Sequence, residues 1–560
     1  MKHLIIVGGG TAGTIAANKV RSAIPASDLA ISVIDTNDAH LYQPGLLFVP
    51  FGKTAPRRLV RSRQAQFGRG IDVIKAEVDH VDLDTTTVTL AGGDVIRGDY
   101  LILATGVTPR PDQTPGMMGG QWGVKTHTFY TLATAQRLAE ALKHFRGGRV
   151  LVHVTDMPIK CPVAPLEFVL LMEAWLREHD IRTETSLTYV TPLDGAFTKP
   201  VASRLLGGML DERGIALETD FMVSEVDNDA CELVSYDGRR LGFDLLVTIP
   251  LNMGADYVAR SGIGDDLNLV ECDQATMAAI GHDNVWVLGD AGTLATSKAG
   301  SVAHFSIDAF AENFVDAWSG RPVTHAFDGH SNCFVETGDG EAMLLDFNYA
   351  TQPYPGTFPL PVVGPMSLLK PTRVNHMGKL AFEWMYWNLL LPGRTIPIPS
   401  AMSMAGKQIV PDTVEGPTTP AKPKPVTPDA SPAKAPAKPA PAPAATGARP
   451  VAKGKSVGTQ VIGGREVSVD AEGFLTDYDQ WDEELGAELA RLIDVDMTED
   501  AWAPIRFLRS DFVGRGETAT LRRVGVVGGF EIPKLFERFP GKPAKKMAYI
   551  AGLPKPKGCV

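Results

Sequence analysis

The chain is short of cysteine, with five in 560 residues. That excludes a disulfide framework and fits a reducing compartment, where thiols serve chemistry rather than scaffolding. No run of about 20 apolar residues is present, which excludes a membrane-spanning helix. There is no excess of positive charge: 54 Lys and Arg stand against 65 Asp and Glu, for a net charge of −11. A broad nucleic-acid-binding face is excluded with it. A secretory signal is not expected either. Met1-Lys2-His3 runs straight into Leu4-Ile5-Ile6-Val7 and then glycines, an apolar run too short for a signal core and right for a buried strand. The expected location is the cytoplasm.

Apolar residues make up 44% and charged residues 21%, so several cores can be buried. One composition break dominates: twelve prolines fall between Pro411 and Pro450, with Ala, Lys and Thr around them. Such a segment has little to bury and is expected to be disordered and polyproline-like. It divides the chain into residues 1–410, a linker over 411–455 and a small unit over 456–560.

Before the linker, apolar runs alternate with helical patterns. Leu4–Val7, Ala30–Ile34, Ile71–Ile74, Tyr100–Leu103, Val150–Val154, Leu245–Ile249 and Val285–Leu288 read as strands. Thr11–Arg21, Tyr130–His144, Glu167–His179 and Val201–Arg213 read as helices. The alternation predicts an α/β doubly wound fold. After the linker, Tyr478–Leu492 and Glu499–Phe512 have helical spacing, with Thr498 as N-cap, so that unit is expected to be mainly α-helical.

Gly8-Gly9-Gly10-Thr11-Ala12-Gly13 fits the dinucleotide fingerprint between a strand and a helix. Gly8 permits the turn, Gly10 lets a pyrophosphate approach, and Gly13 lets the helix pack on its strand. Asp35 ends the second strand about 20 residues on, where a carboxylate binds ribose hydroxyls. Ala104-Thr105-Gly106 and Gly289-Asp290, each after a strand, favour FAD over NAD. Together these features resemble the FAD/NAD-linked disulfide reductase superfamily, which places the aspartate of Gly289-Asp290 on the ribityl chain. The second nucleotide site of that superfamily is expected to be absent or poor. Its strand, Val150–Val154, leads into Thr155-Asp156-Met157-Pro158-Ile159-Lys160-Cys161, without glycine.

Cys161 lies just before a helix and beside Lys160, two features expected to lower its thiol pKa. Cys231 and Cys272 have no activating neighbours that the sequence shows. Further stretches make the resemblance more specific. Tyr42-Gln43-Pro44-Gly45, Lys160-Cys161 with its prolines, Thr296-Ser297-Lys298-Ala299-Gly300, Cys333-Phe334-Val335-Glu336-Thr337-Gly338 and Tyr386-Trp387-Asn388 resemble sulfide:quinone oxidoreductases and flavocytochrome c sulfide dehydrogenase. The resemblance implies Cys161 and Cys333 as a redox pair at the flavin and Glu167 as a proton acceptor. Lys298 would then stabilise the reduced ring, and Val78 would join the FAD contacts. It implies sulfide or a persulfide as substrate, a quinone-type acceptor and no metal. For Glu167 an ordinary first-turn helix acid is the alternative, and for Lys298 a solvated loop lysine. Leu380–Leu391, strongly apolar between Lys379 and Arg394, reads either as a peripheral contact at the inner face of the membrane or as a core helix.

The final hundred residues resemble the DsrC/TusE sulfur-relay family. Asp470-Ala471-Glu472-Gly473-Phe474-Leu475, Trp481, Trp502 through Leu508 and the terminal Ala551-Gly552-Leu553-Pro554-Lys555-Pro556-Lys557-Gly558-Cys559-Val560 carry the likeness. Cys559 would carry sulfur on a terminal arm, biased towards thiolate by Lys555 and Lys557. Dissimilatory members have a second arm cysteine where this chain has Ala548, so a persulfide relay is expected rather than an arm disulfide. A sulfurtransferase or sulfite-reductase-type partner follows, with nucleic acid involved only indirectly, through tRNA thiolation. Three readings compete: sulfide oxidation with sulfur handed to Cys559, processing of a persulfide that Cys559 delivers, and a non-catalytic scaffold for the carrier. A linker of some 40 residues spans about 35 Å and holds the carrier at roughly millimolar effective concentration.

Overall fold

The computed structural model describes residues 1–360, 364–396, 398–409, 458–470 and 472–556. The linker over 411–455 and Cys559 lie outside the described residues. The chain forms two compact units that part inside the linker.

In chain order the first unit is built from β1 (Lys2–Val7), α1 (Thr11–Ala23), β2 (Leu29–Asp35), β3 (Asp72–Lys75), β4 (Tyr100–Leu103), α2 (Leu132–His144), β5 (Gly148–Val154) and α3 (Ala164–Glu178). There follow β6 (Thr185–Val190), α4 (Pro200–Glu212), β7 (Ala216–Glu218), β8 (Leu245–Ile249), β9 (Val285–Val287), α5 (Gly300–Trp318), β10 (Ser331–Gly338), β11 (Glu341–Phe347) and α6 (Arg373–Met385). Two five-stranded sheets result. The first runs β9-β4-β1-β2-β3, every pair parallel. The second runs from Thr126–His127 through β8, β5 and β6 to β7, also all parallel. This is the doubly wound architecture expected of two dinucleotide folds.

The strands read as continuous apolar runs because helices or loops cover both faces. Leu4, Ile5, Ile6, Leu101, Ile102 and Leu103 are fully buried. Trp286 of β9 packs edge-on against Phe310 and Phe314 of α5, with ring centroids 5.6 and 5.4 Å apart. These contacts fix α5 against the end of the first sheet. α2 begins at a capping box in which the Thr131 hydroxyl accepts from the Thr134 N–H. An antiparallel pair, β10 and β11, places Cys333 opposite Leu345.

The second unit is a hairpin, β12 (Gly458–Ile462) and β13 (Arg465–Val469), followed by α7 (Glu483–Leu492), α8 (Glu499–Arg515), α9 (Leu521–Val526), α10 (Ile532–Arg538) and α11 (Pro543–Ile550). Ile462, Val467, Leu475, Leu485 and Leu489 form its core. Two expectations are corrected here. The helix expected from Tyr478 begins only at Glu483, because the Asp482 carboxylate caps it, accepting from the Leu485 N–H at 2.8 Å. Thr498 sits at the N-cap position of α8 but makes no side-chain cap bond. Its hydroxyl instead accepts from Arg538 at 3.3 Å.

Candidate active site

Three sequence segments meet at the carboxyl ends of β1, β4 and β9. Gly8 has φ +101°, and a Cβ there would lie 2.5 Å from the Ala104 carbonyl oxygen, so the fingerprint turn rests on Ala104-Thr105-Gly106. A Cβ at Gly13 would lie 1.9 Å from the Gly8 carbonyl oxygen, which keeps α1 tight on the turn. Gly289, at φ +66°, brings Gly289-Asp290 against Ala12, where a Cβ would come within 2.9 Å. Gly10 has open space on its Cβ side. Thr11 opens α1, whose first N–H groups face that space. The cradle and its donors fit the pyrophosphate of FAD.

Asp35 accepts from the Gly9 N–H at 2.8 Å and pairs with the guanidinium of Arg63. Arg63 was not legible as a site residue. Asp290 is surrounded by Lys298 and Lys160, yet burial outweighs them and raises its carboxyl. Thr105 reaches the Tyr257 hydroxyl at 3.4 Å. Val78 is buried at the start of the strand Val78–Asp82. Lys298 is neither a solvated loop lysine nor free to face a ligand with all its protons. It is buried, and its ammonium donates to the carbonyls of Asp290 and Gly292, each at 2.9 Å.

The two cysteines act on each other's surroundings: Cys333 is buried and Cys161 half-buried. The Cys161 N–H donates to the Lys298 carbonyl at 2.6 Å, and its own carbonyl accepts from the Tyr130 hydroxyl at 3.2 Å. Ser301, at the start of α5, accepts from the Asn332 N–H at 3.2 Å, beside Cys333. Lys298 and Ser301 thus tie the Cys161 loop to the Cys333 strand. Burial, Glu167 and Cys333 all raise the Cys161 thiol, while Lys379 pulls it the other way. Cys333 is pushed up to about 11, chiefly by burial. The expectation that Lys160 lowers the Cys161 pKa is therefore overturned. Desolvation disfavours the thiolate more than nearby charge restores it, and Lys160 itself is pushed down to about 8 by burial.

Glu167 stands in the first turn of α3 with its side chain 2% exposed. It accepts from the Glu336 N–H at 2.8 Å and from the Lys379 ammonium. Burial raises its carboxyl, with Lys379 drawing it back. Burial would lower Lys379, but Glu167 and Glu336 hold it above its ordinary value. Glu336 in turn has both carboxylate oxygens 3.0 Å from His376 Nδ1. Cys272 is buried and raised to about 11. Cys231, unlike the sequence expectation, has a cationic neighbour: the Lys125 ammonium lies 3.6 Å from its sulfur.

The apolar stretch 380–391 divides in two. Val374, Met377, Leu380 and Trp384 of α6 are exposed at helical spacing, forming one stripe. Tyr386, Trp387, Leu390 and Leu391 are buried. The Tyr386 hydroxyl lies 2.7 Å from both the Thr11 hydroxyl and His40 Nε2, so this half is core against the fingerprint helix. No helix among the described residues is long and apolar enough to cross a membrane.

In the second unit the terminal arm is fastened up to its base. Trp481 Nε1 donates to the Ile550 carbonyl at 2.7 Å, the Thr518 hydroxyl to the Pro554 carbonyl at 2.7 Å, and Leu553 is fully buried. Lys555 and Lys545 flank the Glu472 carboxylate at 3.3 and 3.0 Å. The Lys555 charge is thus engaged by Glu472. Ala548 is fully buried in α11. Lys557 and Cys559 lie outside the described residues.

Residues 2–153 match the family model described as pyridine nucleotide-disulphide oxidoreductase, and residues 461–560 the one described as DsrC like protein. The chain is 24% identical over 397 residues to the mitochondrial sulfide:quinone oxidoreductase of Mus musculus, covering 70% of this chain and 86% of that one. The structure resembles the sulfide:quinone oxidoreductase of Aquifex aeolicus with a TM-score of 0.58 at 20% identity, covering 69% of this chain and 92% of that one. Over 104 residues the chain is 35% identical to the sulfurtransferase TusE of Sodalis glossinidius, covering 17% of this chain and 96% of that protein. Through its last hundred residues the chain belongs to the DsrC/TusE family. Ahead of that domain it carries a sulfide:quinone oxidoreductase-like flavoprotein, an FAD-dependent oxidoreductase of the sulfur-active kind.

In this DsrC/TusE fusion the residues that sequence reasoning missed are Lys379, Glu336 and His376. Glu336 stood inside a quoted motif, and Lys379 was noticed only as the flank of an apolar run. Their arrangement gives a first prediction. At pH 8 Cys161 should react with iodoacetamide more slowly than an ordinary cysteine, because its thiol stays protonated. Glu167→Gln removes a charge that holds the thiol up and leaves Lys379 to pull it down. Alkylation should then quicken by about tenfold, one pKa unit's worth. Peptide mass spectrometry after timed quenching reads the rate. An unchanged rate in the variant would show that Glu167 does not act on this thiol.

Proposed function

We propose that the flavoprotein unit oxidises sulfide or a persulfide through Cys161 and Cys333, passes electrons to a quinone-type acceptor, and yields sulfur to Cys559. The supporting observation is the shared site: two cysteines, a base and a lysine that steadies negative charge.

The steps balance as follows. Hydrosulfide attacks a Cys161–Cys333 bridge; that S–S bond breaks, leaving a persulfide on one cysteine and a thiolate on the other. Lys379 stabilises the thiolate, and Glu167 takes the persulfide proton. Loss of two electrons then closes a bridge with one more sulfur between the cysteines. FAD, when bound, supplies the two-electron acceptor. The Cys559 thiolate attacks the middle sulfur of that bridge and breaks its bond to one cysteine; the thiolate released there re-forms the Cys161–Cys333 bond and expels the extra sulfur on Cys559 as a persulfide. The TusE relatives bear the name sulfurtransferase, which points to a sulfurtransferase-type partner as the next carrier.

The handover is tested anaerobically. Protein is mixed with sulfide and a soluble quinone and quenched with an alkylating agent, and the C-terminal peptide is weighed. The Cys559 peptide should gain one sulfur. Quinone reduction with an unmodified peptide would sink the handover. No quinone reduction would favour a persulfide delivered on Cys559 as the substrate.

The exposed stripe on α6 supports a peripheral membrane contact through which a lipid-soluble quinone arrives. Trp384→Glu places a charge in that stripe. It should lower co-sedimentation with anionic phospholipid vesicles several-fold while leaving reduction of a soluble quinone intact. Equal sedimentation of variant and wild type would remove α6 from the membrane reading.

A further inference from the structure

Oxidation of hydrosulfide to zero-valent sulfur releases two electrons and one proton. The electrons have an acceptor, and the proton needs one. Glu167 is a base that acts on the Cys161 thiol, and at 2% exposure it has little direct exchange with bulk water. Its neighbours lead outward. Lys379 is paired with Glu167 and is attracted by Glu336 as well. The Glu336 side chain is 1% exposed and meets His376 Nδ1 through both oxygens. His376 is 22% exposed and lines a cavity of about 170 Å³. Lys53 and Asp339 stand at the rim of that cavity and are exposed. The cavity is large enough to hold several waters.

We propose that Glu336 and His376 are the outer half of a proton path that drains the cysteine site into this cavity. Neither touches the sulfurs, so both act through Glu167 and Lys379. The proton passes from the persulfide to Glu167. Lys379, already an ammonium, gives one of its protons to a water between it and Glu336 as it takes the one on Glu167; that water protonates Glu336, and Glu336 passes a proton to His376 and so to cavity water. An imidazole holds a proton on one ring nitrogen and can accept one on the other, which suits the exposed end of such a path. The groups facing His376 are Glu336 from β10, Lys379 on its own helix, Lys53, and Asp339 from the β10–β11 turn. Two buried carboxylates and a largely buried lysine over the Phe48 ring are costly to keep for packing alone.

The inference rests on the proposed function for the origin of the proton, and its test separates the two. The full-length holoprotein is mixed with sulfide in an anaerobic stopped-flow instrument. Bleaching of the wild-type flavin tests the function; the effect of His376 tests the path. His376→Ala should slow bleaching by tenfold to about a hundredfold, in the range of lost proton transfer. Added imidazole should restore most of the rate in that variant and change nothing in wild type. Glu336→Gln should be equally slow and, being buried, should not respond to imidazole.

A second readout needs no flavin chemistry. Opening the cysteine bridge with dithiothreitol leaves two cysteine thiolates that take up protons in the same site, one of them buried. Trapping with iodoacetamide should show the same loss and the same imidazole rescue. An unchanged His376→Ala rate with both reductants overturns the path, as does a slow variant that imidazole leaves slow. Wild-type flavin that sulfide does not bleach overturns the function, and dithiothreitol then decides the path.

Discussion

Serine at Cys161 or at Cys333 should abolish bleaching of the flavin by sulfide, with a loss of at least about 10³ in rate. Each substitution removes one sulfur from a bridge that needs two, so neither remaining thiol can be attacked as a disulfide. The remaining cysteine does not compensate, because burial keeps both thiols protonated near neutrality. The double variant should be no slower than either single one, since the pair acts as a unit. Serine is close to cysteine in volume, so flavin content and melting should stay near wild type. Cys272→Ser is the matched control: that thiol is buried and raised to about 11, like Cys333, whereas the charged groups that act on the Cys161 thiol are Glu167, Cys333 and Lys379. It should keep its activity. A Cys333→Ser protein retaining a tenth of the wild-type rate would break the paired reading.

The parts legible in the sequence are those written in consecutive residues. The fingerprint from Gly8 to Gly13 announces its own strand, turn and helix, because each glycine meets a steric demand set within a few residues. Ala104-Thr105-Gly106 and Gly289-Asp290 are legible for the same reason, and strand order brings them to one place. What was not legible depends on contacts across the chain. Lys379 pairs with Glu167 across 212 positions, and no local pattern marks it. The Cys161 environment was misread through a local rule. A lysine neighbour and a helix start lower a thiol in water, but here the folded protein removes the water. Lys298 shows the converse. Its place in a motif was visible, but the two carbonyls that hold its ammonium became visible only when the loop 290–292 was closed around it. The late start of α7 is a smaller case: its helical spacing extends back to Tyr478, yet Asp482 caps it, and a cap depends on one side chain rather than on period.

Lys379→Met should be the most destabilising single change at this site. It leaves the Glu167 carboxylate buried without its cation, a loss of about 3–5 kcal/mol for a broken buried pair. The sign of the pH dependence follows from Glu167. Its folded-state pKa already lies above the ordinary carboxylate value and rises further without Lys379. A carboxyl held up in this way binds its proton more tightly in the folded protein than in the unfolded chain. Its contribution to stability is therefore largest at low pH and is lost as pH rises through the folded-state value. The deficit of the variant should be greatest at high pH and shrink as pH falls and Glu167 takes up its proton. Flavin fluorescence on heating reports the first unit alone and checks this. Glu167→Gln combined with Lys379→Met removes both charges and should recover most of the stability, since a neutral pair of similar volume has no unpaired charge to bury. If that double variant folds well but bleaches slowly with sulfide, the buried pair serves proton and charge handling rather than the fold. If it is no more stable than Lys379→Met, the ammonium's place over the Phe48 ring is what matters, and the pairing argument fails.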